Sequence, residues 1–167
     1  MPLLTLRERA PAQARVDGEL SLPFALRQKS RLLTRLAGGE PVGLMLERGA
    51  PLRGGDCLRG DDGRIVRVLA AAEAVMDAVS DDAVTLARIA YHLGNRHASL
   101  QIGAGFVRFA RDEVLATMVR GLGATVTALD APFEPEAGAY AAGAHTHGAD
   151  GRHAPVIHDR HAGPQAR

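Results

Sequence analysis

The stretch Tyr91-His92-Leu93-Gly94-Asn95-Arg96-His97 decides how the second half of this chain folds. Before it, Asp81-Asp82 can cap a helix whose apolar residues Leu86, Ile89, Ala90 and Leu93 recur at helical spacing. Gly94 stands where a helix C-terminus favours a residue free to turn left-handed. After it, Leu100 and Ile102 alternate with polar or small residues, the pattern of a half-buried strand. His97 is therefore expected at an exposed corner between a helix and a strand, and such corners carry function more often than cores do.

Working outward, Ala72 to Val79 reads as a strand, residues 82–93 as a helix and residues 98–103 as a second strand. Gly103-Ala104-Gly105 turns the chain into Phe106-Val107-Arg108-Phe109. Asp112 can cap a second helix carrying Val114, Leu115, Met118, Val119 and Leu122, with Gly123 at its end and Val126 and Leu129 in a last strand. The order βαββαβ is that of the ferredoxin-like split unit, two helices covering one face of an antiparallel sheet. Met118 falls on the apolar stripe of its helix and reads as core. Gly103-x-Gly105 lacks the following Gly and helix of a phosphate loop.

Residues 1–70 have a different character. Arg31-Leu32-Leu33-Thr34-Arg35-Leu36 and Val42-Gly43-Leu44-Met45-Leu46 flank Gly38-Gly39, a hairpin signal. Turns at Gly54-Gly55-Asp56 and Asp61-Asp62-Gly63 bound the strands Cys57-Leu58-Arg59 and Ile65-Val66-Arg67-Val68-Leu69. Short strands at this spacing predict a small β-sandwich or barrel. If extended, Arg27, Lys29 and Arg31 share one face, either as a charged strand edge or as a dock for an acidic partner. Cys57, the only cysteine, excludes an intrachain disulfide and has no second metal ligand nearby, so it reads as a strand filler.

The fold class expected is α+β: a small all-β N-terminal domain over 1–70, a ferredoxin-like domain over 71–140 and a flexible His-containing tail over 141–167. A change of charge marks the first boundary. Residues 1–70 carry 12 basic and 8 acidic side chains and residues 71–140 carry 5 and 9, that is, +4 then −4. The net charge of +1 argues against bulk nucleic-acid binding. With no signal-like segment and no apolar run of about 18 residues, the expectation is a cytoplasmic protein without a membrane anchor. After Tyr140 the apolar pattern stops in an Ala-, Gly- and His-rich stretch, holding His145, His147, His153, His158 and His161.

Several blocks resemble one known family in order along the chain. They are Leu26-Arg27-Gln28-Lys29-Ser30-Arg31, the Gly55-Asp56 turn, Tyr91 to His97, Leu100-Gln101-Ile102, and Pro132-Phe133-Glu134-Pro135-Glu136 with Gly138-Ala139-Tyr140. Together they look like the UreE-like urease accessory proteins, the nickel metallochaperones of urease maturation. The resemblance implies a β-rich domain before a ferredoxin-like one, and a homodimer (or a dimer of dimers) in which His97 bridges two subunits through Ni²⁺. It also implies an accessory GTPase and the urease apoprotein complex as partners, and no catalysis by the chain itself. Some members carry histidines before the second helix; here Arg111 and Glu113 stand there, so that auxiliary site is expected to be absent.

The chemistry of imidazole fits this reading. Neutral histidine is the commonest protein ligand for borderline metals, so Zn²⁺ and Cu²⁺ are chemically acceptable besides Ni²⁺. One His97 offers one nitrogen, whereas two copies on a two-fold axis offer two at one point and leave positions open for release. His145 and His147, spaced i, i+2, would point to one side of an extended tail and join that site. His92 is expected to pack beside Ile89 in the last helical turn, near the terminal carbonyls. Two alternatives belong to other classes. A metal-dependent hydrolase would need an acid or base such as Glu134 or Glu136. A peptide-binding chaperone module would use the β-rich half and an exposed strand edge.

Overall fold

The computed structural model describes residues 3–12 and 15–137. His145, His147 and the rest of the expected tail lie outside the described residues. The first half builds β1 (Leu4–Ala10), β2 (Gly18–Leu22), a single helical turn α1 (Phe24–Arg27), β3 (Arg31–Arg35), β4 (Pro41–Met45), β5 (Cys57–Gly60) and β6 (Ile65–Ala70). These strands form one sheet in the order β2-β6-β5-β1-β4-β3. Two neighbour pairs, β1 with β4 and β2 with β6, run parallel. Its core is aliphatic, including Leu6, Leu20, Leu44, Leu58, Val66 and Val68. The sheet curls until its two ends meet at one corner, where Ala37 N donates to Glu19 O at 2.8 Å.

The Gly38-Gly39 hairpin forms as its sequence requires. Gly39 takes φ 84°, and Leu36 N donates to Glu40 O at 2.9 Å. The first two strands carry no comparable sequence signal, because the charged run Arg7-Glu8-Arg9 breaks the alternation of β1. The shared-face expectation for Arg27, Lys29 and Arg31 is corrected. Arg27 closes α1 and is 1% exposed, so its backbone is helical and its side chain points inward. Cys57 is buried in β5.

After Ala71 come β7 (Ala72–Val79), α2 (Ala83–Gly94), β8 (Leu100–Gly103), β9 (Phe106–Ala110), α3 (Glu113–Gly121) and β10 (Thr125–Pro132). The sheet order is β10-β7-β9-β8 and all neighbours are antiparallel, the ferredoxin-like arrangement. Asp82 accepts from Val84 N and Thr85 N at the start of α2, and Asp112 from Val114 N and Leu115 N at the start of α3. Gly123, at φ 99°, follows the end of α3. Ile89 and Leu93 of α2 and Ala116 and Val119 of α3 pack on Met76, Ala78, Val107 and Phe109 of the sheet, with Met118 at the margin. No helix among the described residues is long and apolar enough to cross a membrane.

The helix-free face of this second sheet meets the first domain. Phe24 of α1, Val75 of β7 and Phe133 beyond β10 form a small buried cluster, with the Phe24 and Phe133 rings edge to face at 5.8 Å between centroids. Glu73 of β7 accepts from Phe24 N at 2.8 Å.

Candidate metal centre

The corner after α2 is built differently from the sequence expectation. Gly94 stays inside the helix, and the left-handed residue is His97, with φ 56°, the only described non-glycine residue at positive φ. His97 N donates to Gly94 O at 2.9 Å, and Ala98 N donates to Leu93 O at 3.3 Å. This is the Schellman pair of bonds, with His97 in the position usually held by glycine. The cause is that α2 winds one residue pair further, through Asn95 and Arg96, before the chain can turn. Histidine is among the few residues that tolerate this region, at some cost in strain.

The helical turn that precedes the corner is tied off. Arg96 Nη1 donates to His92 O at 3.1 Å, satisfying a carbonyl that α2 leaves without a partner. His92 is half-buried and stacks edge to face on Tyr91, with centroids 5.3 Å apart. His97 itself is exposed. Val84, Ala87 and Tyr91 fall on one exposed stripe of α2 that runs toward the corner, with Val84 and Tyr91 each 66% exposed. Ile102 of β8, on the other side of the corner, is 56% exposed. An exposed imidazole therefore stands at the end of a helix that carries an uncovered apolar stripe.

Among the described residues no three His, Cys, Asp or Glu side chains converge as a metal cage would require. The carboxylate considered for general acid or base chemistry, Glu134, is committed elsewhere. It accepts from Arg27 Nη1 at 2.9 Å, Arg53 Nη1 at 3.1 Å and Gly54 N at 2.7 Å. Burial disfavours its charge, but the Gly54 N–H and the Arg53 and Arg27 guanidinium groups outweigh that and hold its pKa below the usual carboxylate range. A carboxylate held in this way is a weak base. Arg111, before α3, and Glu113, its first residue, lie 3.8 Å apart as an exposed ion pair.

Sequence reasoning gave no role to the side chains of Arg53 and Gln101, which bind the segment after β10, or to that of Arg108, which bonds Pro132, the last residue of β10. Only the Phe133-Glu134-Pro135-Glu136 block hinted at that segment. Its partners lie up to 107 residues away, and no local pattern marks them.

The fold and the corner define a two-domain α+β protein whose described residues display one exposed imidazole and enclose no metal cage. The chain belongs to the UreE urease accessory protein family: the model of that family's N-terminal domain matches residues 3–71 and the model of its C-terminal domain matches residues 73–163. A urease accessory protein UreE of Alkalilimnicola ehrlichii is 57% identical over 138 residues, which cover 83% of this chain and 85% of the relative. Those of Nitrosospira multiformis and Azotobacter vinelandii are 49% and 48% identical, over 87% and 93% of this chain and 82% and 96% of the relatives.

Proposed function

We propose that this chain is a nickel metallochaperone of urease maturation, with His97 from each of two subunits holding one Ni²⁺ on a two-fold axis. The observation that carries the reading is the placement of His97: an exposed imidazole on a strained left-handed residue, at the end of the helix that carries the uncovered stripe of Val84, Ala87 and Tyr91. A second copy of this surface would bury those side chains and bring two imidazoles together. The metal is cargo. Two nitrogens leave most of its coordination sphere open, so His145 and His147 can join and later release it. Family membership supports urease maturation as the setting, with the urease apoprotein complex and an accessory GTPase as partners in a cytoplasmic delivery step. No chemistry on a substrate is assigned to the chain, and Zn²⁺ and Cu²⁺ compete for the same nitrogens.

A bridged metal binds the dimer better than the monomer and so favours association. Sedimentation of dilute protein should show Ni²⁺ moving the population toward dimer, and His97→Ala should remove the shift. A nickel-driven shift that survives in the His97→Ala protein would place the bridge elsewhere.

A further inference from the structure

β3 is an outer strand of the first sheet, and one side of it is open. Leu46 N donates to Ser30 O at 2.8 Å and Leu36 N to Glu40 O at 2.9 Å, so the bonds to β4 fall on every second residue of this ladder. The residues between, Arg31, Leu33 and Arg35, stand opposite Met45, Gly43 and Pro41 and aim their N–H and C=O groups away from β4. β2 reaches that side only beyond the strand, where Ala37 N donates to Glu19 O. No described residue takes the backbone groups of Arg31, Leu33 or Arg35.

The side chains of the same three residues lie together on the outer face of the sheet, all exposed. Leu33 is 71% exposed, and Met45 on the neighbouring strand is 46% exposed. Gly43, opposite Leu33, adds no side chain, and Leu3 Cδ2 comes within 3.5 Å of where a Cβ would sit. Leu3, itself 44% exposed, thus continues the apolar patch onto β1. Cations surround this patch. Lys29, Arg31, Met45, Leu46, Glu47 and Arg48 line a groove at one end, and Arg7 flanks it from β1. Arg7, Lys29, Arg31, Arg35 and Arg48 have no carboxylate partner among the described residues. By contrast, Arg59 of the same domain pairs with Glu8, and Arg64 with Glu40 and Asp62. Glu47 is the single carboxylate lining the groove. Charge guards an edge against unwanted pairing, but a guarded edge carries charge at its centre, and this one carries leucine there.

We infer that the β3 edge docks an acidic, extended segment of a partner protein, which adds to the sheet as a further strand. The main chain of that segment would bond Arg31, Leu33 and Arg35, and its alternate side chains would set acid, apolar and acid against the three. Other occupants fit less well. A phosphate-bearing lipid surface accepts from the N–H groups but its phosphates donate nothing to the C=O groups. A second copy paired edge to edge in antiparallel register would set Arg31 opposite Arg35, and like charges oppose such pairing. The docking face belongs to the β-rich domain and does not depend on how His97 holds metal.

The test is fluorescence anisotropy of a labelled synthetic peptide titrated with the metal-free full chain. The probe repeats Glu-Thr-Leu-Thr-Glu, which puts glutamate, leucine and glutamate on one side of an extended strand. Two control peptides carry the same residues in scrambled order, or N-methyl groups on the amides that would face β3. The expected result is saturable binding of the alternating peptide, weakened by salt and about tenfold weaker for each control. Leu33→Asp, at an exposed site, should weaken it by about tenfold or more. Arg31→Gln/Arg35→Gln should weaken it by about two- to fivefold per guanidinium lost. The two variants are independent, so either serves if the other does not fold. The proposal is overturned if the alternating peptide does not bind, if the N-methylated one binds equally well, or if neither variant weakens binding. Vesicles of phosphatidylglycerol that bind the chain where the peptide does not would overturn it in favour of a membrane contact. A wild-type oligomer that Leu33→Asp splits would overturn it in favour of a contact between copies.

Discussion

His97→Gly should make the protein more stable while removing the proposed metal ligand. The left-handed conformation costs an L-residue with a side chain about 1–2 kcal/mol, and His97 adopts it at φ 56°. Glycine removes that strain but gives the unfolded chain more freedom, a penalty of about 0.5–1 kcal/mol. The net expectation for metal-free protein is a gain of about 0.5–1 kcal/mol. His97→Ala keeps the strain and loses the imidazole, so it should fall below His97→Gly by about 1 kcal/mol. For a chain of this size that difference is about 2–4 °C in Tm. The assay is thermal and urea unfolding of the three metal-free proteins at one protomer concentration, so that dimerisation does not bias the comparison. If His97→Ala equals or exceeds His97→Gly, or if His97→Gly costs stability, then the corner is unstrained and the histidine is held there by contacts of its own.

Other expectations follow from the same geometry. Proton and metal compete for the same imidazole nitrogens, so nickel affinity should fall as the solution is acidified in a competition titration; a flat response would point to carboxylate ligands. The Glu134 carboxylate is held below the usual range by the Gly54 N–H and the Arg53 and Arg27 guanidinium groups. Because the Glu134 pKa is depressed in the folded protein, its contribution is complete above the unfolded value of about 4.3 and is lost as pH falls through the folded one. Acid unfolding of Glu134→Gln should therefore lose part of the wild-type pH dependence below about pH 4.3. Phe133→Ala removes a 2% exposed ring from the cluster between the domains and should cost about 3 kcal/mol in denaturant unfolding. Removal of residues 141–167 should leave Tm nearly unchanged, since no described residue beyond Pro135 is buried.

The second domain was legible because its boundaries are written locally. Asp82 and Asp112 cap the helices, Gly105 and Gly123 take the positive φ their turns require, and the apolar period of α2 matches its buried face, whereas Ile102 of β8, expected to be half-buried with Leu100, is exposed. The first domain was legible only from Arg31 onward. The parallel pairs β1–β4 and β2–β6 join segments distant in sequence, and nothing in Leu4–Ala10 announces a partner. At the His97 corner the rule that glycine turns a helix end picked Gly94, two residues before the chain had wound far enough to turn. The wrong residue was chosen for strain, although His97 was still put on the surface between helix and strand. Arg27 failed for a different reason. A cation in a polar hexapeptide reads as solvent-facing, and only the fold brings Glu134 and Phe133 O, 107 and 106 residues away, to its guanidinium.

The most direct test of the central claim is a nickel titration of the purified full chain by calorimetry, with wild type beside His97→Ala and the stoichiometry counted per dimer. If His97 makes a site only by pairing, wild type binds one tight Ni²⁺ per dimer and His97→Ala binds none, keeping only weak ions on the remaining histidines. Loss of the ligand pair should weaken the first site by about a hundredfold or more, at about 1.4 kcal/mol per decade. One tight Ni²⁺ per dimer in the His97→Ala protein would contradict the account, and two in wild type would show that each subunit binds its metal alone.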